Sequence, residues 1–345
     1  MERLLLTGAG GFVGHHTLAH LLKTTDLEIV VTDSFRHFGT SARLRAVFEE
    51  LPHARNRVKV VTHDLNAPID NVTANEIGPI DFVINMASNS HVDRSITDPR
   101  AFVENNVALQ LTMVDFARNL KDLRLFLHVS TDEVYGPAPV GNDHPEWSEI
   151  IPSNPYSASK AAQEAIAIAY WRTFDIPLVI TNTMNIIGER QDVEKFIPLS
   201  ISRLSKGQRV PVHAQKTGAK WTAGSRFYLH ARNQADALRF IIENAPTRPL
   251  KFSEGLHRPE RFNVRGEIEI HNDEMVNLIA ELMGLHPSDS HVEYVNVEGS
   301  RPGHDLRYAL TGDKLLNLGW KPPVPLRESL ARTIKWTLAN PEWLL

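Results

Sequence analysis

The chain has 345 residues, of which 42% are hydrophobic and 23% charged, and its formal net charge is −4. This length and composition predict a soluble globular protein of about two domains. The charge excludes the basic surface that nucleic acid or an anionic membrane requires. Because there is no cysteine, disulfides and thiolate metal sites are excluded, and a reducing compartment is expected. No signal sequence and no apolar run near ~20 residues is found, so a cytoplasmic protein is expected.

The 16 histidines include the adjacent pair His15 and His16. They show neither the clustered spacing of metal ligands nor two ligands on one helix face. We therefore predict no metal site and expect the histidines to be solvated.

A glycine turn at residues 8–14 joins a short apolar strand, residues 4–7, to a helical pattern that continues to Leu22. A strand, a glycine turn and a helix in that order bind a pyrophosphate, because the backbone can approach closely and the helix N-terminus offers free N–H groups. Asp33 lies 19 residues after Gly14, the distance expected for a carboxylate on an adenosine ribose. The pattern predicts a dinucleotide and favours NAD, while Arg36 keeps NADP open.

Strands and helices then alternate as far as Asn182. Further apolar strands are predicted at residues 28–33, 57–61, 81–85, 123–129 and 177–181, with helices after Pro99 and at residues 156–174. Alternation with continuously apolar strands predicts an α/β fold, the Rossmann doubly wound parallel sheet. Its ligands should lie outside the carboxyl ends of the strands.

Beyond Asn182 the pattern becomes irregular. Helices are predicted at residues 196–207, 236–245, 273–284 and from Pro325, strands at 262–264 and 291–297, and a loop at 208–225. We expect an NAD-binding Rossmann domain at residues 1–182, with return segments near 226–265. A smaller, irregular α/β substrate-binding lobe is expected at residues 183–225 and 266–345.

Residues 130–136 read Ser-Thr-Asp-Glu-Val-Tyr-Gly and follow directly on a predicted strand. Neighbouring carboxylates within a strand would point to opposite faces of the sheet. Past the end of the strand the backbone can turn, so that Asp132 and Glu133 face one cavity. A solvated acidic turn is the alternative, because Asp and Glu are mostly exposed.

Tyr156 and Lys160 lie four residues apart and share one face of a predicted helix. A phenol with a pKa near 10 is a poor base at neutral pH, and an adjacent cation stabilises its phenolate. Such a pair can remove a proton from a sugar hydroxyl while a hydride leaves for nicotinamide. An exposed helix start with Tyr156 as an edge contact is the alternative.

Together these motifs resemble the extended short-chain dehydrogenase/reductase family. Within it the chain is similar to the nucleotide-sugar 4,6-dehydratases, most of all those that act on dTDP-glucose. The string at residues 130–136 distinguishes them, since epimerases and decarboxylases of the family usually lack the Asp. Residues 91–96, 194–198 and 301–308 also match, so the resemblance spans almost the whole chain.

The resemblance implies NAD as the cofactor and a catalytic set of Thr131, Asp132, Glu133, Tyr156 and Lys160. Tyr156, assisted by Lys160 and Thr131, takes the proton of the 4-hydroxyl while C4 gives a hydride to NAD. Glu133 removes the C5 proton and Asp132 protonates the departing C6 hydroxyl. The hydride then returns to C6, which gives a 4-keto-6-deoxy sugar. The two carboxyls need opposite protonation states, which mutual repulsion promotes.

Two further sets of residues follow from the resemblance. The implied cofactor-binding residues are Gly8, Gly11, Phe12, Val13, Gly14, Asp33, Asp64, Leu65, Ala87, Ser88, Asn106, Ser130, Tyr156 and Lys160. The implied substrate-binding residues are Ser90, Asn185, Lys195, Arg226, Asn263, Arg301 and His304. Among these, Arg226, Arg301 and His304 are expected at the pyrophosphate, because the planar fork of Arg makes paired hydrogen bonds to phosphate.

The chain departs from the family pattern in three places. Asn89 replaces a common Glu, and residues 185–189 read Asn-Ile-Ile-Gly-Glu in place of Asn-Asn-Tyr-Gly-Pro. Pro211-Val212-His213 stands where the family has the Pro-Val-Tyr that packs on the base, and the longer segment 214–224 replaces the short glycine turn that follows it. The base therefore stays open among dTDP, UDP, CDP and GDP. Trp221 either stacks on a base or fills a hydrophobic gap.

Two alternatives to the dehydratase are considered. The first is another enzyme of the same scaffold, a nucleotide-sugar 4-epimerase, decarboxylase or 5,6-dehydratase, and the second is a non-catalytic NAD-binding protein. Adjacent Asp132 and Glu133 argue against simple epimerisation, which needs no acid for a leaving hydroxyl. The resemblance also implies a homodimer, in which the helices after Pro99 and Tyr156 form a four-helix interface. The face formed by Ala161, Ala162, Ala165 and Ala169 permits close helix approach, and it would equally suit the chain's own core.

Overall fold

The computed structural model describes residues 2–36, 39–297 and 305–344. Its strands, numbered along the chain, are β1 (Arg3–Thr7), β2 (Glu28–Asp33), β3 (Val58–Thr62), β4 (Phe82–Asn85), β5 (Leu125–Thr131), β6 (Leu178–Thr183), β7 (Ile186–Ile187), β8 (Val210–Thr217), β9 (Lys220–Ala223), β10 (Ser225–Arg226), β11 (Leu229–His230), β12 (Glu260–Val264), β13 (Ile270–His271) and β14 (Val292–Asn296). Its α-helices are α1 (Phe12–Thr24), α2 (Ser41–Glu50), α3 (Asn71–Ile77), α4 (Val92–Thr97), α5 (Pro99–Ala117), α6 (Pro155–Phe174), α7 (Phe196–Ser205), α8 (Ala231–Asn244), α9 (Asn272–Leu282), α10 (Asp313–Asn317) and α11 (Leu326–Ala339).

The largest element is a seven-stranded sheet in the order β12-β6-β5-β4-β1-β2-β3, and its strands pair in parallel. The predicted Rossmann fold is therefore confirmed. The chain order reverses between β1 and β4, which lie side by side and both end at the same edge. Such a switch point is where open parallel sheets bind their ligands.

Helices cover both faces of this sheet, because successive side chains of a strand point to opposite sides. Leu4 and Leu6 of β1 pack into a core with α1, α2 and α8, whereas Leu5 packs into a second core with α5 and α6. Both cores are buried, which explains why β1 is apolar throughout rather than alternating. The strand predicted at residues 262–264 is the end of β12 and forms the edge of this sheet.

A third core lies among α7, α9 and α11 and the strands β8 and β14. The loop predicted at residues 208–225 is wrong, because β8 and β9 form an antiparallel hairpin there and β14 pairs in parallel with β8. In β8 the buried residues Val210, Val212 and Ala214 alternate with less buried ones. Pro211 and the polar neighbours make this alternation hard to recognise in the sequence. Among the described strands, β8 is paired at Pro211 on one side only, with β14, and the other side has no partner strand there. A proline, which lacks an N–H group, is tolerated at such an edge position.

The hairpin also fixes Trp221, whose ring stacks on that of Tyr294 with centroids 5.5 Å apart and planes 9° apart. Lys216 lies over Trp221 at 5.2 Å from the ring centroid. One face of the indole is thus covered by Tyr294, as in a hydrophobic contact between β9 and β14. In the described part of the chain, the helices are too short or too polar to cross a membrane.

Candidate active site

A cavity of about 350 Å³ opens at the carboxyl ends of β1, β2, β4, β5 and β6. It gathers side chains from widely separated parts of the sequence. Those that the sequence singled out and that line the cavity are Gly8, Gly11, Phe12, Val13, Gly14, Asp33, Asp64, Leu65, Ala87, Ser88, Ser90, Ser130, Thr131, Asp132, Glu133, Tyr156, Lys160, Asn185 and Lys195. The cavity thus joins the glycine turn, the acidic pair and the Tyr-Lys pair in one space.

At one end of the cavity the glycine turn lets the backbone approach closely. Gly8 has a φ of +73°, and a Cβ on Gly14 would lie 2.1 Å from the Gly8 carbonyl oxygen, so α1 packs on β1 only with glycine there. Asp33 accepts hydrogen bonds from the Gly10 and Phe35 N–H groups, each at 2.8 Å. Its carboxylate is held beside the turn, as a ribose-binding carboxylate must be. These features fit a dinucleotide.

Arg36, which had kept NADP open, is paired with Asp64. Its Nη1 atom donates to the Asp64 Oδ2 atom at 2.5 Å. Asp64 also accepts from the Asn66 N–H, and hydrogen bonds with Asn66 and Arg36, against the opposing effect of burial, lower the pKa of Asp64. The guanidinium therefore has a carboxylate partner beside Asp33, where a second negative charge from a 2′-phosphate would be disfavoured.

The segment that follows β4 forms one wall of the cavity, and Thr7 of β1 holds it in place. Thr7 accepts hydrogen bonds from the Met86 and Ala87 N–H groups, each at 3.0 Å. Asn106 lies behind this wall: it accepts from the Asn89 N–H at 2.9 Å and donates to the Asn89 carbonyl oxygen at 3.1 Å and to the Ser159 hydroxyl at 2.8 Å. The structure thus places Asn106 as a support of the cavity wall.

The acidic pair lies on a 3₁₀ turn, Asp132–Tyr135, directly after β5. The Thr131 hydroxyl donates to Asp132 Oδ1 at 2.8 Å, and Asn154 Nδ2 donates to Glu133 Oε2 at 3.2 Å. Burial, and then the charge of Glu133, raise the pKa of Asp132 to about 7, against the hydrogen bond from Thr131. The two carboxyls thus differ in environment, and Asp132 retains a proton near neutral pH.

Two buried oxygens at the end of β5 and the start of the acidic turn have no hydrogen-bond partner among the residues that the structure describes. They are the Ser130 hydroxyl and Asp132 Oδ2, and both residues line the cavity. A buried polar atom without a partner is costly unless a ligand or water completes it. These atoms are therefore suited to contact bound molecules.

The Tyr-Lys pair lies in the first turns of α6. The helix begins with a capping box between Asn154 and Ser157, and the Tyr156 N–H donates to the Ser95 hydroxyl at 3.1 Å. Burial, followed by the charges of Glu133 and Asp132, raises the pKa of Tyr156 well above its ordinary value, and a hydrogen bond with Thr131 opposes the rise. Phenolate formation therefore requires compensating positive charge.

Lys160 lies one turn after Tyr156 on α6, and its ammonium group is held by two hydrogen bonds. Its Nζ atom donates to the Val129 carbonyl oxygen at 2.9 Å and to Gln163 Oε1 at 2.6 Å. Burial lowers the pKa of Lys160 to about 8, and the charge of Glu164 opposes the fall. The ammonium form dominates below that pH.

The predicted substrate-binding residues fall into three groups. Ser90, Asn185 and Lys195 line the cavity, and Lys195 Nζ donates to the Ser90 carbonyl oxygen at 3.3 Å. Arg226 and Asn263 are buried and are not among the residues that line the cavity. Arg301 and His304 lie outside the described residues.

Arg226 is held by backbone carbonyls, since it donates to Ser225, Leu306 and Asp305 at 2.7, 2.6 and 2.7 Å, and its guanidinium lies 4.5 Å from the Tyr308 ring centroid. Asn263 donates its backbone N–H to Glu146 at 3.0 Å and its amide to the His144 carbonyl oxygen at 2.9 Å. The contacts of both side chains are thus with the protein itself.

The adjacent histidines are buried, so the expectation of solvated side chains is wrong for them. His16 Nε2 lies 3.0 Å from the Glu189 carbonyl oxygen, and His230 Nε2 lies 3.0 Å from Glu189 Oε2. Burial lowers the pKa of His16 and of His230. Both are neutral contacts between α1, α8 and the segment that follows β7. Among the described residues there is no group of three or more His, Asp or Glu arranged to hold a metal.

Sequence reasoning missed Thr7, Asn154 and Asn182, which hold the functional residues in place. Asn154 had a local signal, because an Asn-Pro pair before a helical pattern is a helix start. Asn182 had none, since its partners Thr131 and Glu164 lie far away in the sequence.

Known proteins match this chain over nearly its whole length. The family model for GDP-mannose 4,6 dehydratase matches residues 5–333. A probable dTDP-glucose 4,6-dehydratase of Sinorhizobium fredii is 37% identical over 357 residues, which cover 99% of this chain and 94% of the relative. The dTDP-glucose 4,6-dehydratase of Salmonella typhimurium is 31% identical over 366 residues, again 99% and 94% of the two chains.

Among solved structures, the chain is similar to DesIV, a dTDP-glucose 4,6-dehydratase of Streptomyces venezuelae determined with NAD and TYD bound. The TM-score is 0.83 at 32% identity, and the match covers 99% of this chain and 98% of DesIV. The sequence, the fold and the gathered residues agree with these relatives. The chain therefore belongs to the NAD-dependent nucleotide-sugar 4,6-dehydratases of the extended short-chain dehydrogenase/reductase family.

Proposed function

We propose that this enzyme converts a nucleoside diphosphate hexose resembling dTDP-glucose into its 4-keto-6-deoxy derivative, and that Thr131, Asp132, Glu133, Tyr156 and Lys160 perform the chemistry. The observation that carries this assignment is the convergence of an acidic pair and a buried phenol on one cavity. The pKa of Asp132 and that of Tyr156 are both raised by burial, and the two groups differ in proton affinity, as an acid and a base of one reaction must.

The first step oxidises C4 of the sugar. Tyr156 accepts the proton of the 4-hydroxyl, with Thr131 hydrogen-bonded to the phenol and Lys160 one turn further along α6. The cofactor NAD, when bound, accepts the hydride from C4 and later returns it to C6. The resulting ketone makes the C5 hydrogen acidic.

The second step removes water across C5 and C6. Glu133, anchored by Asn154, accepts the C5 proton, while Asp132 donates a proton to the departing C6 hydroxyl. The pKa of Asp132, raised to about 7 by burial and by Glu133, favours the protonated form that this role needs. Glu133 returns its proton to C5 when C6 is reduced. Because the carboxyls are adjacent, they titrate as a pair.

The nucleotide is the least constrained part of the substrate. The relatives named for dTDP-glucose support a thymidine sugar, whereas the family model is named for GDP-mannose. The β8–β9 hairpin replaces the family's short turn beside the base, and Trp221 stacks on Tyr294. This favours a structural role for Trp221 over base stacking. Lys195 and Asn185 are proposed to contact the diphosphate and sugar, and Arg226, Arg301 and His304 the pyrophosphate.

We propose that NAD binds to the domain formed by residues 1–182, with return segments near 226–265. The nucleotide sugar is proposed to bind to the lobe formed by residues 183–225 and 266–345. A homodimer in the cytoplasm is also proposed. The absence of cysteine fits a reducing compartment. Support for the dimer comes from an exposed apolar face on α5 and α6, formed by Val103, Leu111, Ala165, Ala169 and Phe174. This set is called the α5–α6 face below.

Replacing the proposed acid tests this assignment. We expect Asp132→Asn to bind NAD and to oxidise C4 as the wild type does, but to lose water at least about a hundredfold more slowly, since general acid catalysis contributes ~10²–10⁴-fold. The measurement is quenched single turnover with dTDP-glucose, in which the 4-keto-glucose and 4-keto-6-deoxyglucose nucleotides are separated by mass. Unchanged dehydration would remove Asp132 from the mechanism.

The control is Asp122→Asn, which makes the same chemical change at an exposed position. A panel of dTDP-, UDP-, CDP- and GDP-sugars run with the wild type compares the alternatives. A 4-epimer, a decarboxylated sugar or a 5,6-dehydrated product would favour another enzyme of this scaffold, and no turnover of any of them would favour a non-catalytic protein.

A further inference from the structure

A buried ion pair lies beneath the proposed active site. Glu164 of α6 and Arg261 of β12 are both 0% exposed, and Arg261 Nη2 lies 2.7 Å from Glu164 Oε2. They are 97 residues apart in the sequence. Replacing a buried pair by well-packed apolar side chains is often neutral or stabilising, so such a pair is weak evidence for a stabilising role.

Asn182 of β6 connects the pair to the end of β5. Its Nδ2 atom donates to Glu164 Oε1 at 2.8 Å and to the Thr131 carbonyl oxygen at 2.9 Å. Its Oδ1 atom accepts from the Tyr135 hydroxyl at 3.2 Å and from Arg261 Nη1 at 3.2 Å. The Asn182 amide thus contacts Thr131, which precedes the acidic turn, and Tyr135, which ends it.

Arg261 contacts the end of the same turn directly. Its Nη1 atom donates to the Tyr135 hydroxyl at 3.1 Å, and its guanidinium lies 4.2 Å from the Trp147 ring centroid. Asp132 and Glu133 lie between the two points that are held, the carbonyl of Thr131 and the hydroxyl of Tyr135. The direction of both carboxyls therefore depends on the spacing of these two contacts.

Glu164 has a second connection to the site. It follows Lys160 by four residues on α6, so the two side chains lie on the same face of the helix. The charge of Glu164 opposes the lowering of the Lys160 pKa by burial. The same carboxylate thus braces the acidic turn and favours the ammonium that assists Tyr156.

We propose that Glu164 and Arg261 are positioning residues, which fix the acidic turn through Asn182 and Tyr135. This inference rests on the proposed roles of Asp132 and Glu133. Both Glu164 oxygens and both polar atoms of the Asn182 amide have partners in this network, whereas Arg261 Nε has none among the described residues. Buried polar contacts rigidify a site through their satisfied members, so the loss of one of them should loosen the turn. The effect should fall on turnover rather than on substrate affinity.

The first test is Glu164→Gln, which preserves the shape and an acceptor oxygen for Asn182 but removes the charge. We expect kcat to fall by roughly tenfold to a hundredfold with KM within about twofold, because small misplacements of catalytic groups slow the chemical step. We also expect the alkaline limb of the kcat profile to move to lower pH. The reason is that Lys160, without the Glu164 charge, loses its proton more readily.

The matched control is Glu260→Gln. Glu260 precedes Arg261 on β12 and pairs with Lys314 at 2.9 Å, away from the acidic turn. The same chemical change there should leave kcat and the pH profile within about twofold of the wild type. A loss of turnover in both variants would indicate a general effect on β12 and would overturn the inference.

The second test is Tyr135→Phe, which removes one hydroxyl and should fold even if Glu164→Gln does not. We expect a decrease in kcat of about threefold to tenfold, the value of one hydrogen bond, with KM unchanged. A Tyr135→Phe enzyme with wild-type kcat would overturn the positioning role. So would a Glu164→Gln enzyme whose Tm falls while kcat and its pH profile stay unchanged.

The wild type separates this inference from the proposed function. If the wild type forms no 4-keto-6-deoxy product, the proposed function fails. If it does and the two variants match it, only the positioning role fails.

Discussion

At the scale of single residues, the environment of Asp132 is the most informative feature. Burial and the neighbouring Glu133 raise its pKa to about 7, from an ordinary value of 3.8. An acid whose pKa is raised on folding is more strongly protonated in the native state than in the unfolded chain between these two values. The free energy of unfolding therefore decreases as pH rises through this window.

This linkage predicts a pH-dependent effect of Asp132→Asn on stability. Because the amide does not ionise, the variant avoids the cost of burying a charge, and we expect it to be more stable than the wild type by roughly 4 kcal/mol at pH 8. The difference should shrink toward pH 4, where the native carboxyl is protonated and the carboxyl of the unfolded chain is partly protonated. Urea unfolding at several pH values measures it.

The stability control is again the exposed Asp122→Asn, which should leave the pH dependence of unfolding unchanged. A stability difference between Asp132→Asn and the wild type that is the same at pH 4 and pH 8 would contradict the raised pKa. A variant that gains stability and loses activity is common at active sites, because catalytic groups are often held in environments that lower the stability of the fold.

At the scale of elements, the glycine turn illustrates how a local pattern serves both packing and binding. The strand β1, the turn and α1 are adjacent in sequence, so their arrangement follows from local propensity. Glycine is required at position 14, because a side chain there would collide with the Gly8 carbonyl oxygen and push α1 away from β1. The cofactor's place at the helix N-terminus depends on that contact.

We predict that Gly14→Ala lowers NAD affinity at least about tenfold, since displacement of α1 removes the close backbone approach to the pyrophosphate. Isothermal titration of the cofactor-free protein with NAD measures the change. Gly207→Ala is the control, because Gly207 has a φ of +66° and open space around its Cα. That substitution strains the backbone by about 1 kcal/mol and should leave NAD affinity unaltered. Equal losses of affinity would show that the effect is general destabilisation.

The β8–β9 hairpin shows where local patterns fail. Residues 210–217 alternate in burial only over their first half, and the second half is polar and exposed. The strand forms because β14, about 80 residues later, supplies the parallel partner, an interaction that no local window contains.

At the scale of the whole molecule, the α5–α6 face is the feature that implies a partner. Leu111 is 47% exposed and Val103 37% exposed on α5, next to the exposed alanines of α6. Two such faces packed together would form a four-helix interface, and small residues allow the helices to approach closely. The partner proposed for this face is a second copy of the chain.

We expect the protein to sediment as a dimer at micromolar concentration and Leu111→Glu to sediment as a monomer, because a charge buried in an apolar interface is strongly unfavourable. Val72→Glu is the control, since Val72 is 75% exposed on α3 and lies away from the face. A monomeric wild type, or a dimer that both variants preserve, would contradict the proposed interface.

Local patterns were enough to predict the parallel sheet, the glycine turn, Asp33 and the motifs at the strand ends. These features repeat over short distances, and hydrophobic periodicity and glycine spacing report them directly. The pairing of Glu164 with Arg261, the burial of His16 and the raised pKa of Asp132 were beyond such patterns. Each depends on side chains brought together from distant segments, since burial and electrostatic energy are properties of the folded surroundings rather than of sequence neighbours.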